Sequence, residues 1–295
     1  MMKNSLFVQK LIAFFFLFAF LALDSTKAQV SNYFNGFEIG VGVDDWADVV
    51  RVASGTNSII SATGSFHAEV DIPNGGFTRF GHVGGGSYNP VFPVFGYKTS
   101  LDIYLDVNHG FANDTRVDYS SAINDIGGTF RRDFVYNIGF YNDAIAPGTG
   151  NRFVISASNN AGRAGAFPKN PGKLPQVIST TGWYRFEHSF TNVAGVLKVI
   201  FTIYNAALTP VATWTVSDPS DIIGTTVGGA RYGWVLNNEF SLLAIDNSSL
   251  TINPPPTVNV PALGAWGLII FALLLLSISS IVVFQRKRIM IIFSK

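Results

Sequence analysis

The sequence predicts an all-β ectodomain, an antiparallel β-sandwich or jelly roll, flanked by an N-terminal signal peptide and one C-terminal transmembrane helix. Three observations carry this reading. Six segments alternate apolar and polar residues with period two, clusters of Gly, Asn and Pro separate them, and no stretch ahead of the C-terminal apolar run shows helical periodicity.

Residues 1–28 read as the signal peptide. Lys3 and Lys10 supply a positive start, Leu11 to Leu23 is apolar and rich in Phe, and Thr26-Lys27-Ala28 offers a cut ahead of Gln29. The chain has no cysteine, which excludes a bacterial lipoprotein anchor and any disulfide.

The ectodomain is expected over 29–252, long enough for one sizeable core. Its strand segments are Leu101–Val107, Phe134–Phe140, Arg152–Ser156, Trp183–Phe190, Leu197–Tyr204 and Val211–Val216. In the first, Leu101, Ile103, Leu105 and Val107 form a dry face, with Asp102, Tyr104 and Asp106 opposite. Turns are expected at Pro73–Gly76, Gly84–Gly86, Pro168–Gly172 and Asp218-Pro219.

Residues 253–259 form a linker, because the run Pro254-Pro255-Pro256 favours extended polyproline II and cannot enter a sheet. From Trp266 to Phe284 there is no charge over about 19 residues, which at roughly 1.5 Å per residue crosses a hydrocarbon core of about 30 Å. Arg286, Lys287 and Arg288 then mark the cytoplasmic end by the positive-inside rule, leaving the ectodomain outside the cytoplasm.

Just ahead of that span, Val260, Pro261, Ala262, Leu263, Trp266 and Gly267 resemble the IPTL-type C-terminal sorting domain of bacterial surface proteins. In that family the motif precedes a transmembrane helix and a basic tail. Val for Ile, Ala for Thr and the apolar tail Ile289 to Phe293 depart from its pattern. The resemblance implies an exosortase as processing partner, an inner-membrane intermediate, and a destination at the cell surface or outer membrane.

Within the ectodomain, Asn35-Gly36-Phe37-Glu38 with Trp46, and the closing Leu243–Asn247, resemble the ends of jelly-roll modules of the galactose-binding and lectin-like kind. Such modules often tie their end strands with a structural calcium, and the resemblance implies Glu38 and Asp246 as its carboxylate ligands.

No catalytic constellation is evident. Asp102 and Asp106 lie about 13 Å apart along one strand face, beyond the reach of a glycosidase pair. There is no G-x-S-x-G elbow, and His67, His82, His109 and His188 have no metal-ligand spacing, reading instead as surface or loop residues. Lys plus Arg number 20 against 19 Asp plus Glu, several of the cations lying in the targeting segments, so nucleic acid is not an expected partner.

Binding is the better-motivated role. Tyr88, Tyr97 and Trp234 sit in Gly-rich contexts and are candidate rings for stacking on sugar faces. The expectation is a non-enzymatic surface protein that binds carbohydrate or extracellular matrix material. The alternative is a structural or adhesive surface protein with no small-molecule site.

Overall fold

The computed structural model describes residues 32–39, 46–70, 77–78, 92–125, 129–159, 167–228 and 233–255, with isolated positions 269 and 273. The chain divides into two compact units, Met1–Asn253 and Pro254–Lys295. The expected signal peptide, sorting motif, apolar span 266–284 and Arg286–Arg288 cluster lie outside the described residues, apart from positions 269 and 273. Among the described residues no helix is long and apolar enough to cross a membrane.

The strands, in chain order, are β1 Tyr33–Asn35, β2 Trp46–Ala47, β3 Val49–Ala53, β4 Phe66–Val70, β5 Phe77–Thr78, β6 Tyr97–Leu105, β7 Thr115–Asp125 and β8 Phe130–Tyr141. They continue as β9 Arg152–Ser158, β10 Gln176–Ile178, β11 Gly182–Val193, β12 Val196–Asn205, β13 Pro210–Ile222, β14 Thr226–Gly228, β15 Trp234–Leu236 and β16 Ala244–Ile252. One antiparallel sheet runs β13-β12-β11-β6-β16-β4-β3, with β1 also on β16; the other runs β10-β9-β8-β7-β15-β5-β2, with β14 on β7.

All six segments expected to be strands lie in strands, Leu101–Val107 only as far as Leu105, where β6 ends. Asp218-Pro219, expected as a turn, is instead continuous with β13. That strand ends its sheet, so Pro219, which lacks an N–H, is tolerated there. The β11–β12 hairpin is closed by Ala194 (φ 52°) and Gly195 (φ 86°), the paired positive φ values of a two-residue turn whose twist suits the strands.

The two sheets bury one continuous core. Leu101, Ile103 and Leu105 of β6, Phe186 and Phe190 of β11, and Val199, Phe201 and Ile203 of β12 pack against Tyr119, Phe134, Tyr136, Ile138, Phe140 and Phe153 of the facing sheet. Tyr136 also crosses the gap with its hydroxyl, which lies 2.6 Å from the Glu187 carbonyl and 3.0 Å from that of Thr202. The inner faces therefore share a polar tie as well as apolar area.

His67 and His188, expected at the surface or in loops, are both fully buried. His188 is ringed by Tyr119, Tyr136, Phe190 and Phe201, and burial pushes its pKa down to about 3, so it is neutral. Its strand position is an inner one, and the apolar pattern there outweighs the usual exposure of histidine.

Replacing Tyr136→Phe removes the hydroxyl that crosses between the sheets and leaves two buried carbonyls without it. A loss of about 1–2 kcal/mol is expected in urea denaturation of the full chain.

Candidate functional site

The site begins with a change of partner along β16. On one side β16 pairs with β4 at Ala244–Ile245 and with β1 at Ser248–Leu250, so Asp246 and Asn247 fall between those two ladders. On the other side the register with β6 slips: Asp246 faces Asp102, but Ser249 faces Ser100. Three residues of β16 thus span what two span on β6, which is a β-bulge, with Asn247 at φ 48°. A left-handed asparagine is the commonest non-glycine solution to such a position.

The bulge sends the Asn247 amide to the outer face. Its Nδ2 donates to Asp102 Oδ2 at 2.8 Å, and its Oδ1 accepts from the Thr63 hydroxyl at 2.8 Å. Asp102 also receives a two-pronged contact from Arg185, Nε to Oδ1 at 2.8 Å and Nη2 to Oδ2 at 3.0 Å. These two residues are 83 apart in sequence and directly opposed in the β6–β11 ladder. The Asp102 carboxylate raises the Arg185 pKa.

Around this trio is a cleft of about 330 Å³ lined by Asn32, Tyr33, Phe34, Ser100, Arg185, Asn247, Ser249 and Thr251. Ser100 and Ser249 share a hydrogen bond of 2.8 Å. Phe34, on β1, is 67% exposed and supplies an apolar flank. The lining therefore offers hydroxyls, two amides, a guanidinium and a bare ring, a set suited to hydrogen bonding and stacking. None of its residues is a histidine, cysteine, lysine or carboxylate.

The expected site residues fare differently. Tyr97 is a correction: it is fully buried on β6, stacked on Phe190 at 4.5 Å between ring centroids, and has no face for a ligand. Position 97 begins the inner-facing row that continues at Leu101 and Ile103, so its ring joins the core. Trp234 lies in β15 opposite Ser120, half-buried, rather than in a loop. Tyr88 lies outside the described residues. Neither Tyr97 nor Trp234 lines the cleft.

Glu38 and Asp246 do help tie the chain ends, by hydrogen bonds. The Glu38 carboxylate accepts the N–H groups of Ser65 and Phe66 at 3.0 Å. A Cβ at Gly64, which sits at φ +64°, would collide with that carboxylate. Asp246 accepts N–H bonds from Thr63 at 3.2 Å and from Asn247 at 2.7 Å. Both carboxylates thus hold one turn, residues 62–66.

The remaining parts of the opening motif have similar local roles. Asn35 Oδ1 accepts the Phe37 N–H at 2.8 Å, turning the chain so that Phe37, at φ 57°, enters the core near Trp46. Arg51 donates to the carbonyls of Phe37 and Glu38 at 2.6 and 3.0 Å.

This arrangement does not fit the structural calcium that the motif implies. A hard cation needs free oxygen lone pairs, whereas here N–H donors point at both carboxylates and Arg51 takes the Glu38 carbonyl. Among the described residues no group of three or more His, Asp or Glu is placed to hold a metal.

Comparisons with known proteins give no family. No family model matches the chain, and no curated protein does. Among solved structures, the CBM2 module of the evolved Dit of Lactobacillus casei BL23 phage J-1 is similar at 10% identity, over 76% of this chain and 96% of that one, with a TM-score of 0.30. An overlap at that level supports neither a shared site nor a shared ligand.

Burial pushes the Asp246 carboxyl up to about 7 from 3.8; the Asp102 charge adds to the rise, and backbone N–H bonds from Thr63, Asn247 and Ala62 oppose it. The folded state then binds more protons than the unfolded one between those values, so this group's contribution falls as pH rises through them. Buried His188 acts with the opposite sign, because its folded pKa is lowered from 6.5 to about 3. The informative quantity is therefore the difference in Tm between wild type and Asp246→Asn. It is expected to move in favour of the variant between about pH 4 and 7. In the same melts, calcium and chelator are expected to give wild type the same Tm.

Proposed function

We propose that this chain is an exported, surface-displayed protein whose β-sandwich binds carbohydrate in the cleft over Asn247, without catalysing a reaction. The observation that carries the binding part is the placement of the exposed Phe34 ring in the same cleft as Arg185, Asn247 and the Ser100–Ser249 pair. A pyranose presents apolar C–H groups on its faces and hydroxyls around its rim. A bare ring answers the first and a ring of donors and acceptors the second. Asp102, Arg185 and Asn247 are already bonded to one another, so the polar wall is in place before a ligand arrives and little ordering entropy is lost on binding.

Export and sorting rest on sequence: the signal peptide pattern at 1–28, the motif Val260 to Gly267, the apolar run to Phe284, and Arg286 to Arg288. In this reading the chain passes through the inner membrane as a single-pass intermediate, and an exosortase-type enzyme cuts near the motif. Mass spectrometry of the mature protein tests that step, since a product that still carries Arg286 to Arg288 makes the helix a permanent anchor.

A glycan array probed with the full chain tests binding, with Phe34→Ala as the paired variant. Capture of at least one glycan class by wild type is expected, with roughly tenfold weaker affinity in the variant. An array blank for wild type returns the protein to a structural or adhesive role. Equal binding by both proteins moves the site elsewhere on the domain.

A further inference from the structure

We infer that the cleft over Asn247 selects uncharged sugars with adjacent hydroxyls and rejects uronates and other anionic glycans. The inference rests on the carbohydrate reading above and narrows it.

The argument concerns where the cations go. Arg185 is the one charged residue in the lining, and two of its five N–H donors are committed to the Asp102 carboxylate behind it. Its side chain is 31% exposed, while that of Asp102 is 8% exposed. A ligand therefore meets the remaining guanidinium N–H groups with their charge already balanced at contact distance.

The wider surroundings lean the same way. Besides Asp102, the Glu187 carboxylate acts electrostatically on Arg185. The neighbouring cation, Lys98, is itself paired with Glu187 at 3.0 Å. Among the described residues no uncommitted positive charge is left in this cluster for a sugar carboxylate to neutralise. An acid group brought to Arg185 would have to displace Asp102, leaving that carboxylate with only the Asn247 amide, or sit beside it as a like charge. Either course is costly. A neutral diol avoids both, since it takes the free N–H donors as an acceptor and uses the Ser100, Ser249 and Thr251 hydroxyls in either sense.

The architecture makes this balance a fixed property. Asp102 is held from two strands at once, by Arg185 on β11 and by Asn247 from the bulge on β16, so it cannot swing away to release the guanidinium without breaking both contacts.

The test is calorimetric titration of the full chain with two matched sets of oligosaccharides, neutral glucans and mannans on one side and oligogalacturonates and oligoalginates on the other. Wild type is expected to bind a neutral member roughly tenfold or more tighter than any uronate of the same length. Asp102→Asn, which keeps the shape and removes the balancing charge, is expected to narrow that ratio by gaining uronate binding. Uronate binding to wild type that equals or exceeds neutral binding overturns the inference and leaves the carbohydrate reading standing. Binding of neither set overturns both. The wild-type comparison decides the matter even if the variant fails to fold.

Discussion

One extra residue in β16 is the constraint on which the site depends. A strand that kept strict alternation from Ala244 to Ile252 would point every second side chain outward and pair evenly with β6. The slip between Asp246 and Ser249 breaks that alternation and leaves Asn247 in the left-handed region. The same slip separates the stretch held by β4 from the stretch held by β1. The Asn247 amide bonds to Asp102 and to Thr63, and with them the floor of the cleft, follow from this single irregularity. A conformation of this kind costs of order 1 kcal/mol, and the contacts of Asp246 and Asn247 over-determine it.

A bulge can hold a site only if the sheet beneath it does not move. The core supplies that, with aromatic rings packed from both sheets and the Tyr136 hydroxyl set against the backbone of β11 and β12. Glu187, whose carbonyl approaches Tyr136, lies on the same strand as Arg185 and pairs outward with Lys98. The outer polar network and the inner apolar one are thus attached to the same few residues of backbone.

Much of the fold was legible because period-two alternation is a local property. Leu101, Ile103 and Leu105 announce their strand without reference to anything distant. The site was less legible. Asp102 and Arg185 are ordinary outward residues until the β6–β11 register places them opposite one another, and within the segment Leu101–Val107 Asp102 has only Asp106 as a carboxylate neighbour on that face. Tyr97 reads as a loop ring from the Gly- and Pro-rich stretch ahead of it, whereas it opens a strand whose inner row includes that ring. The opening motif Asn35 to Glu38 reads as a unit in the sequence, yet its parts work as an Asx turn, a core plug and a carboxylate that binds backbone N–H groups. Composition does not reveal whether a carboxylate meets a cation or an amide; only the position of residues 62–66 does.

The first and last strands of the domain are neighbours, and the Asn32 side chain accepts the Ile252 N–H at 2.8 Å. The cleft is walled by β1, β6 and β11 together with β16, the strand that ends at Ile252. Tension on the chain beyond Asn253 would enter the domain along β16, the strand that carries Asn247, Ser249 and Thr251. β16 is flanked by ladders to β6 and β1, whose hydrogen bonds lie across the line of pull. They would be loaded together in shear instead of being opened one at a time, which is the geometry of a mechanical grip.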